Sequence, residues 1–170
     1  GAPFVGQTVL HLSPAEVGYW FAGPSLGYAL GNFISARYST RIGMNRMILL
    51  GALICSAFLL AVLVVDLAGG LTPLMFFGAV GFMGLGNGML LPNANAGMMS
   101  VRPELAGTAS GLGGAMAVAG GAGLAGLAGA LLHDDSGALP LLVIMAGSAV
   151  GSIFFILWVM IRERQLIRRG

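Results

Sequence analysis

The sequence predicts an all-α protein whose helices form a polytopic transmembrane bundle. Hydrophobic residues make up 57% of the 170-residue chain and charged residues only 8%, whereas a soluble globular domain carries roughly 25% charged residues. Five uncharged runs are each long enough to cross a bilayer, which takes about 20 helical residues. These spans should be helices, because lipid offers no hydrogen-bond partner to an unpaired backbone amide. A closed barrel would instead show alternating apolar and polar residues, and these runs are continuously apolar. Composition therefore excludes a water-soluble domain and a disordered chain.

We expect the five spans at about residues 14–36, 47–66, 73–99, 105–132 and 139–161. The segment Ser13-Pro14-Ala15-Glu16 has the pattern of a capping box with proline at the first helical position, so the first span should begin there. We interpret residues 1–12 as the end of a preceding membrane helix and an outer loop. Residues 162–170 are interpreted as a cytoplasmic basic tail.

The basic residues predict an orientation. The chain has eight, all of them arginines, and each follows the first, third or fifth span. The positive-inside rule makes that side cytoplasmic, which leaves the N-terminus of the chain outside and the C-terminus inside. The arginines are scattered in small groups instead of forming one basic face, so nucleic acid is not an expected partner. The expected partner is the lipid bilayer.

Small residues recur at every fourth position in two spans, a spacing that lets helix backbones approach closely in lipid. In the first span they are Gly23, Gly27, Gly31 and Ser35, and in the fourth one stripe includes Gly113 and Gly121. Pro24 removes a helical hydrogen bond and is expected to kink the first span. We assign Pro24, Pro92, Gly113 and Gly121 to helix packing or to a hinge.

The third span contains amide side chains at Asn87, Asn93 and Asn95, which are costly in a membrane unless they face protein or water. They either bond a neighbouring helix or line a cavity. Both interpretations stay open for Asn87, whereas hydrogen bonding between helices is favoured for Asn93 and Asn95. The predicted contacts of a substrate cavity are Tyr28, Asn32, Asn87 and Met116.

Enzymatic and metal chemistry are not expected. The segment Gly107-Thr108-Ala109-Ser110-Gly111 lacks the G-x-S-x-G spacing of a nucleophile elbow, and no histidine lies at similar depth. The single cysteine excludes a disulfide framework and a cysteine-based zinc site. The five runs contain no Asp, Glu, Lys or Arg, so a buried proton carrier would have to lie outside this chain.

Two motifs resemble a known family. The segment from Gly31 to Gly43, with Arg37 and Arg41 inside it, is similar to the second-half copy of the loop motif of major facilitator superfamily transporters. Leu91-Pro92-Asn93-Ala94, followed by the segment from Arg102 to Leu112, resembles the bicyclomycin-resistance (Bcr/CflA) branch of drug–proton antiporters. One departure is Thr40, which stands where the first-half loop motif has an acidic residue.

The resemblance implies that the five spans correspond to helices eight to twelve of a twelve-helix transporter, within its C-terminal six-helix bundle. It implies export of small, amphipathic, drug-like compounds by proton antiport and alternating access, in a bacterial inner membrane. The coupling ion would be the proton, with no cofactor, and the partner would be the missing N-terminal six-helix half. It also implies that Gly31, Arg37, Arg41 and Gly43 form the cytoplasmic loop motif.

Two alternatives remain. The first keeps the superfamily and assigns a metabolite as substrate. The second is a membrane module that transports nothing and serves as a scaffold.

Overall fold

The computed structural model describes residues 1–133 and 136–167, and in them every regular element is helical. The first element is α1 (Ala2–Phe4), which continues as a π-helical turn (Val5–Val9). The longer helices follow in the order α2 (Pro14–Trp20), α3 (Ala22–Ile42), α4 (Met44–Leu67), α5 (Pro73–Val101), α6 (Ala106–Leu131) and α7 (Leu139–Ile167). A short 3₁₀ turn (Pro103–Leu105) leads into α6. The predicted all-α fold class is confirmed.

Side-chain caps fix where two helices begin. The Ser13 backbone N–H donates to Oε2 of Glu16 at 2.8 Å, and the Glu16 N–H donates to Oγ of Ser13 at 3.3 Å. This is the predicted capping box, and α2 begins at Pro14. Thr72 caps α5 in a similar way, because its Oγ1 accepts from the N–H of Met75 at 3.3 Å.

The segment 14–36, predicted as one kinked span, is divided at Phe21 into α2 and α3. Pro24 lies in the first turn of α3, where a backbone N–H has no helical partner to lose. Its ring would collide with the carbonyl of Trp20, four residues earlier, if the two helices were continuous. The break therefore falls three residues before the proline.

The centre of the bundle is α5, which packs against α3 on one side and α4 on another. Glycines bring these backbones together: a Cβ added at Gly27 or Gly31 would overlap backbone carbonyls of α5, and one added at Gly84 or Gly88 would overlap those of α3. Three of the small residues that the four-residue spacing singled out in the first span, Gly27, Gly31 and Ser35, thus lie at this interface.

A similar close approach joins α5 to α4. A Cβ added at Gly86 would lie 2.5 Å from the carbonyl oxygen of Gly51. The helix α4 also packs against α7, and a small cluster of buried residues joins them: Cys55, Leu59, Ala146 and Ala149. A larger core, at the end of the bundle near α1, includes Val5, Val17, Phe76, Phe77 and Leu142.

In contrast, α6 packs lightly. Its one buried residue is Ala128. At its other end, a Cβ added at Gly113 would meet the flexible thioether of Met98 on α5, at 2.6 Å from Sδ. Most of the surface of α6 is therefore open in the described part of the chain.

Within the described residues, four helices are long and apolar enough to cross a membrane: Met44–Leu67, Pro73–Val101, Pro103–Leu131 and Leu139–Leu166. They correspond to the second to fifth predicted spans. The first, 14–36, is not among them, because polar residues such as Asn32 and Arg37 lower the hydropathy of α3. That the first span crosses the membrane therefore stays a prediction. Since α7 continues to Ile167, the predicted basic tail begins as helix.

The described arginines gather at one end of the bundle, where the last turns of α3, α5 and α7 lie beside the first turn of α4. We call this the arginine end; it carries Arg37, Arg41, Arg46, Arg102, Arg162 and Arg164. Arg168 and Arg169 lie outside the described residues. Glu16 and Asp66 are at the opposite end, near the start of α2 and the end of α4.

Candidate functional site

Of the four predicted cavity residues, Tyr28 and Asn32 lie one turn apart on α3, Asn87 lies on α5 and Met116 on α6. Tyr28 is 43% exposed on α3 and Met116 is 67% exposed on α6. Asn32, half-buried on α3, donates through Nδ2 to the carbonyl of Tyr28 at 2.8 Å, one turn back on its own helix. Only Asn32 of the four lines either of the two clefts described below.

Asn87 faces α4. Its Oδ1 lies 3.9 Å from Sγ of Cys55, which also donates to the carbonyl of Met83 at 3.4 Å. Of the two interpretations left open for Asn87, this position favours a contact between helices. The sequence alone could not decide between these two interpretations, because glycines lie on both faces of α5 and either face could therefore pack closely against another helix.

Asn93 forms the bond between helices that was predicted for it. Only 3% of Asn93 is exposed, and its Nδ2 donates at 2.7 Å to Oγ of Ser35 on α3 and at 2.7 Å to the carbonyl of Met89. Asn95 was expected to do the same, and that expectation is wrong. It is exposed, and no bond from its side chain to another helix occurs within residues 1–133 and 136–167.

A cleft of about 770 Å³ lies between α3 and α5 at the arginine end; most of its surface is apolar, and we call it the polar cleft after the few polar groups that line it. Its polar lining consists of Asn32, Ser35, Ser39, Thr40 and Asn93. These residues supply hydroxyl and amide groups and no charge, so the cleft can accept and donate hydrogen bonds to a neutral polar group. Of them, Ser39 was not singled out from the sequence, although it continues the spacing of Gly31 and Ser35 along α3.

The loop-motif residues lie at and beside this cleft. Gly31 is buried against α5, whereas Arg37 and Arg41 are exposed at the arginine end. Gly43 alone connects α3 to α4, with φ 94° and ψ 144°, and its N–H donates to the carbonyl of Ser39 at 2.8 Å. This backbone conformation is essentially restricted to glycine, which explains the residue at this turn.

The residues assigned to packing or hinges have different surroundings. Pro92 lies inside α5, which continues through it, and it borders the polar cleft. Gly113 adjoins Met98, whereas a Cβ added at Gly121 would meet nothing within 4 Å. The helix α6 is continuous from Ala106 to Leu131.

Within residues 1–133 and 136–167, no group of three or more His, Cys, Asp or Glu side chains is placed to hold a metal ion. In these residues, neutral hydrogen-bonding groups line the cleft between α3 and α5, and the exposed surface of α6 is apolar. Such surfaces bind and orient molecules by shape, hydrogen bonding and apolar contact.

One comparison with known proteins identifies a relationship. The sequence profile described as Major Facilitator Superfamily matches residues 2–169, nearly the whole chain. No curated protein and no solved structure matches the chain.

Proposed function

The chain belongs to the Major Facilitator Superfamily of membrane transporters, and we propose that it forms part of an exporter of small amphipathic compounds driven by proton antiport. In this proposal the chain is the larger part of a C-terminal six-helix bundle of the Bcr/CflA type. It works with an N-terminal six-helix half, and the two bundles rock around a site near the middle of the membrane. The membrane is a bacterial inner membrane, with the arginine end facing the cytoplasm.

The surface of α6 carries the proposal. Its exposed large side chains are aliphatic or thioether groups, namely Leu112, Met116, Val118, Leu124, Leu127 and Leu131. Glycines between them leave shallow space, since a Cβ added at Gly120 or Gly123 would meet nothing within 4 Å. Apolar, adaptable surfaces containing methionine suit ligands that share amphipathic character and differ in shape.

The packing of the other helices supports movement of the bundle as one body. The glycine contacts hold α3 and α4 against the backbone of α5, and α7 packs on α4. Closely packed helices transmit displacement without deforming. Alternating access by rigid-body rocking requires such a unit.

The proposed proton carrier lies in the other half. Between residues 67 and 101, and between residues 105 and 133, the chain has no Asp, Glu, Lys or Arg. Ion-coupled transport generally uses an ionisable side chain within the membrane. A carboxylate on a helix of the N-terminal half would face this uncharged surface across the substrate site.

The polar cleft favours a second candidate, a metabolite transporter. Its hydroxyl and amide groups, including those of Asn32 and Ser39, offer hydrogen bonds to a neutral polar metabolite, which the exposed aliphatic side chains of α6 do not. The proposal of drug export therefore predicts that substrates interact with α6, whereas the metabolite alternative predicts interaction with the cleft.

Transport by the full-length protein separates the candidates. In everted membrane vesicles with an imposed proton gradient, ethidium should release protons, and expression should raise the resistance of cells to ethidium. Met116→Ala should weaken both effects, whereas Met75→Ala, on the exposed surface of α5 near its start, should leave them unchanged. Absence of any drug-dependent proton flux would contradict drug export. Ethidium-dependent flux that depends on Asn32 and not on Met116 would mean that the drug binds at the polar cleft and not on α6.

A further inference from the structure

A second cleft, of about 1020 Å³, opens at the arginine end between the start of α4 and the last turns of α5 and α7. We call it the inner groove. Its walls are apolar side chains from two helices: Leu90, Ala94 and Val101 on α5, and Phe155, Val159 and Leu166 on α7. The spacings of four and seven residues put each set on one face of its helix. The proposed substrate surface on α6 contributes no residue to this groove.

The length of the inner groove matches one leaflet of a bilayer. On α7 its lining extends from Ser152 to Leu166, a distance of about 21 Å at 1.5 Å per residue. Half of a ~30 Å hydrocarbon core, plus part of the headgroup layer, has a similar depth. The wall on α7 is open at the surface of the chain, since Phe155 is 74% exposed.

The rim of the inner groove is cationic. Arg46 at the start of α4 and Arg162 and Arg164 at the end of α7 lie along it, with a single carboxylate, that of Glu163. That carboxylate accepts a hydrogen bond from Nδ2 of Asn45 at 2.6 Å. In residues 1–133 and 136–167 the one ion pair joins Arg102 to Glu104, neither of which lines the groove, so the three guanidinium groups can bind an outside anion.

We propose that the inner groove binds an anionic phospholipid from the leaflet at the arginine end. The acyl chains lie along the walls of α5 and α7, and the phosphate and headgroup meet Arg46, Arg162 and Arg164. Basic pockets between helices at a membrane surface bind such headgroups, and guanidinium groups suit phosphate oxygens. A soluble anion would leave the apolar walls unused, and an uncharged apolar partner would leave three arginines unmatched.

Lipid binding to the purified full-length protein tests this assignment. Phosphatidylglycerol and phosphatidylcholine with identical acyl chains are titrated separately and read by native mass spectrometry. We expect preferential binding of phosphatidylglycerol. The triple variant Arg46→Gln, Arg162→Gln, Arg164→Gln should weaken it roughly tenfold or more, because each basic residue near the surface contributes appreciably to anionic-lipid binding.

The matched control carries the same change in charge at the same end of the bundle: Arg37→Gln, Arg41→Gln, Arg102→Gln. It should retain the affinity of the unmodified protein. Equal losses in both triple variants would mean general surface electrostatics and would overturn the site. Equal binding of the two lipids, or displacement of phosphatidylglycerol by inorganic phosphate, would also overturn it.

A second pair of variants tests the walls without changing charge. Gly97 lines the inner groove, and a Cβ added there meets nothing within 4 Å, so Gly97→Leu should fill the groove without disturbing the fold. It should weaken phosphatidylglycerol binding several-fold. Gly147→Leu places the same side chain on open surface of α7, outside the groove, and should have no effect. Unchanged binding in Gly97→Leu would show that another segment of protein covers the groove or that lipid binds elsewhere.

Discussion

Asn93 on α5 and Ser35 on α3 form a buried hydrogen bond of 2.7 Å between two helices that touch through their backbones. The amide of Asn93 also bonds the carbonyl of Met89 within α5. The pair lies beside Gly31 and Gly88, where the added bulk of a methyl group would force the helices apart. A close glycine contact and a polar bond together fix the register of α3 on α5.

The coupling between these two residues is measurable. In a double-mutant cycle of Asn93→Ala and Ser35→Ala, we expect a coupling free energy of unfolding of about 0.6 kcal/mol, and below about 1.7 kcal/mol, the range found for hydrogen bonds between membrane helices. Reversible unfolding in mixed micelles provides the measurement. Strictly additive effects would mean that the bond contributes nothing to the pairing of α3 with α5.

Gly31→Ala should destabilise the bundle. The new Cβ would overlap the carbonyl oxygen of Leu85 and approach Cα of Gly88 at 3.0 Å, and backbone cannot move aside as a flexible side chain can. We expect a loss of about 1–3 kcal/mol, seen as a lower melting temperature in detergent. Gly78→Ala is the control, because its Cβ meets nothing within 4 Å. Equal melting temperatures for the two variants would contradict the α3–α5 contact.

Gly43→Ala should destabilise the turn between α3 and α4. With φ at 94° and ψ at 144°, an L-residue pays a strain of about 1–3 kcal/mol. The change should lower thermal stability even though a Cβ at this position meets nothing within 4 Å, so the cause is the backbone and not crowding. Gly107→Ala, a helical position with equally open surroundings, should be neutral. A neutral Gly43→Ala would mean that the turn adopts another conformation.

Cys55 should resist modification in the folded protein. Its thiol lies between α4 and α5, is 4% exposed and donates to the carbonyl of Met83. We expect no reaction with N-ethylmaleimide in mild detergent and complete reaction in dodecyl sulfate. A cysteine introduced at the exposed position Thr40 should react in both. Rapid labelling of Cys55 in the folded state would require α4 and α5 to separate.

The fold was predictable from the sequence where the signal is local. Ser13 and Glu16 form a capping box through side chains three residues apart, and the spacing of Gly27 and Gly31 marks the packing face of α3. The division at Phe21 was harder to locate, because Pro24 predicts a kink or a break without fixing which earlier residue leaves the helix.

The site was less predictable, because it depends on which helices meet. Asn87 and Asn32 are both amides on spans rich in glycine, yet one faces Cys55 on α4 and the other borders the polar cleft. The inner groove combines Arg46 with Arg162, more than a hundred positions apart in the chain. Helical periodicity shows which face of a helix is buried, but it does not show which other helix packs against that face.

Sided labelling tests the central claim most directly, namely that the chain crosses the membrane five times with its arginine end in the cytoplasm. In a Cys55→Ala background, cysteines at Ala15, Gly70 and Thr40 are treated with a membrane-impermeant maleimide in intact cells. We expect labelling of Ala15→Cys and Gly70→Cys in intact cells, and of Thr40→Cys only after permeabilisation. If Ala15→Cys behaved like Thr40→Cys, α3 would not cross the membrane, and the reverse pattern at all three positions would contradict the orientation.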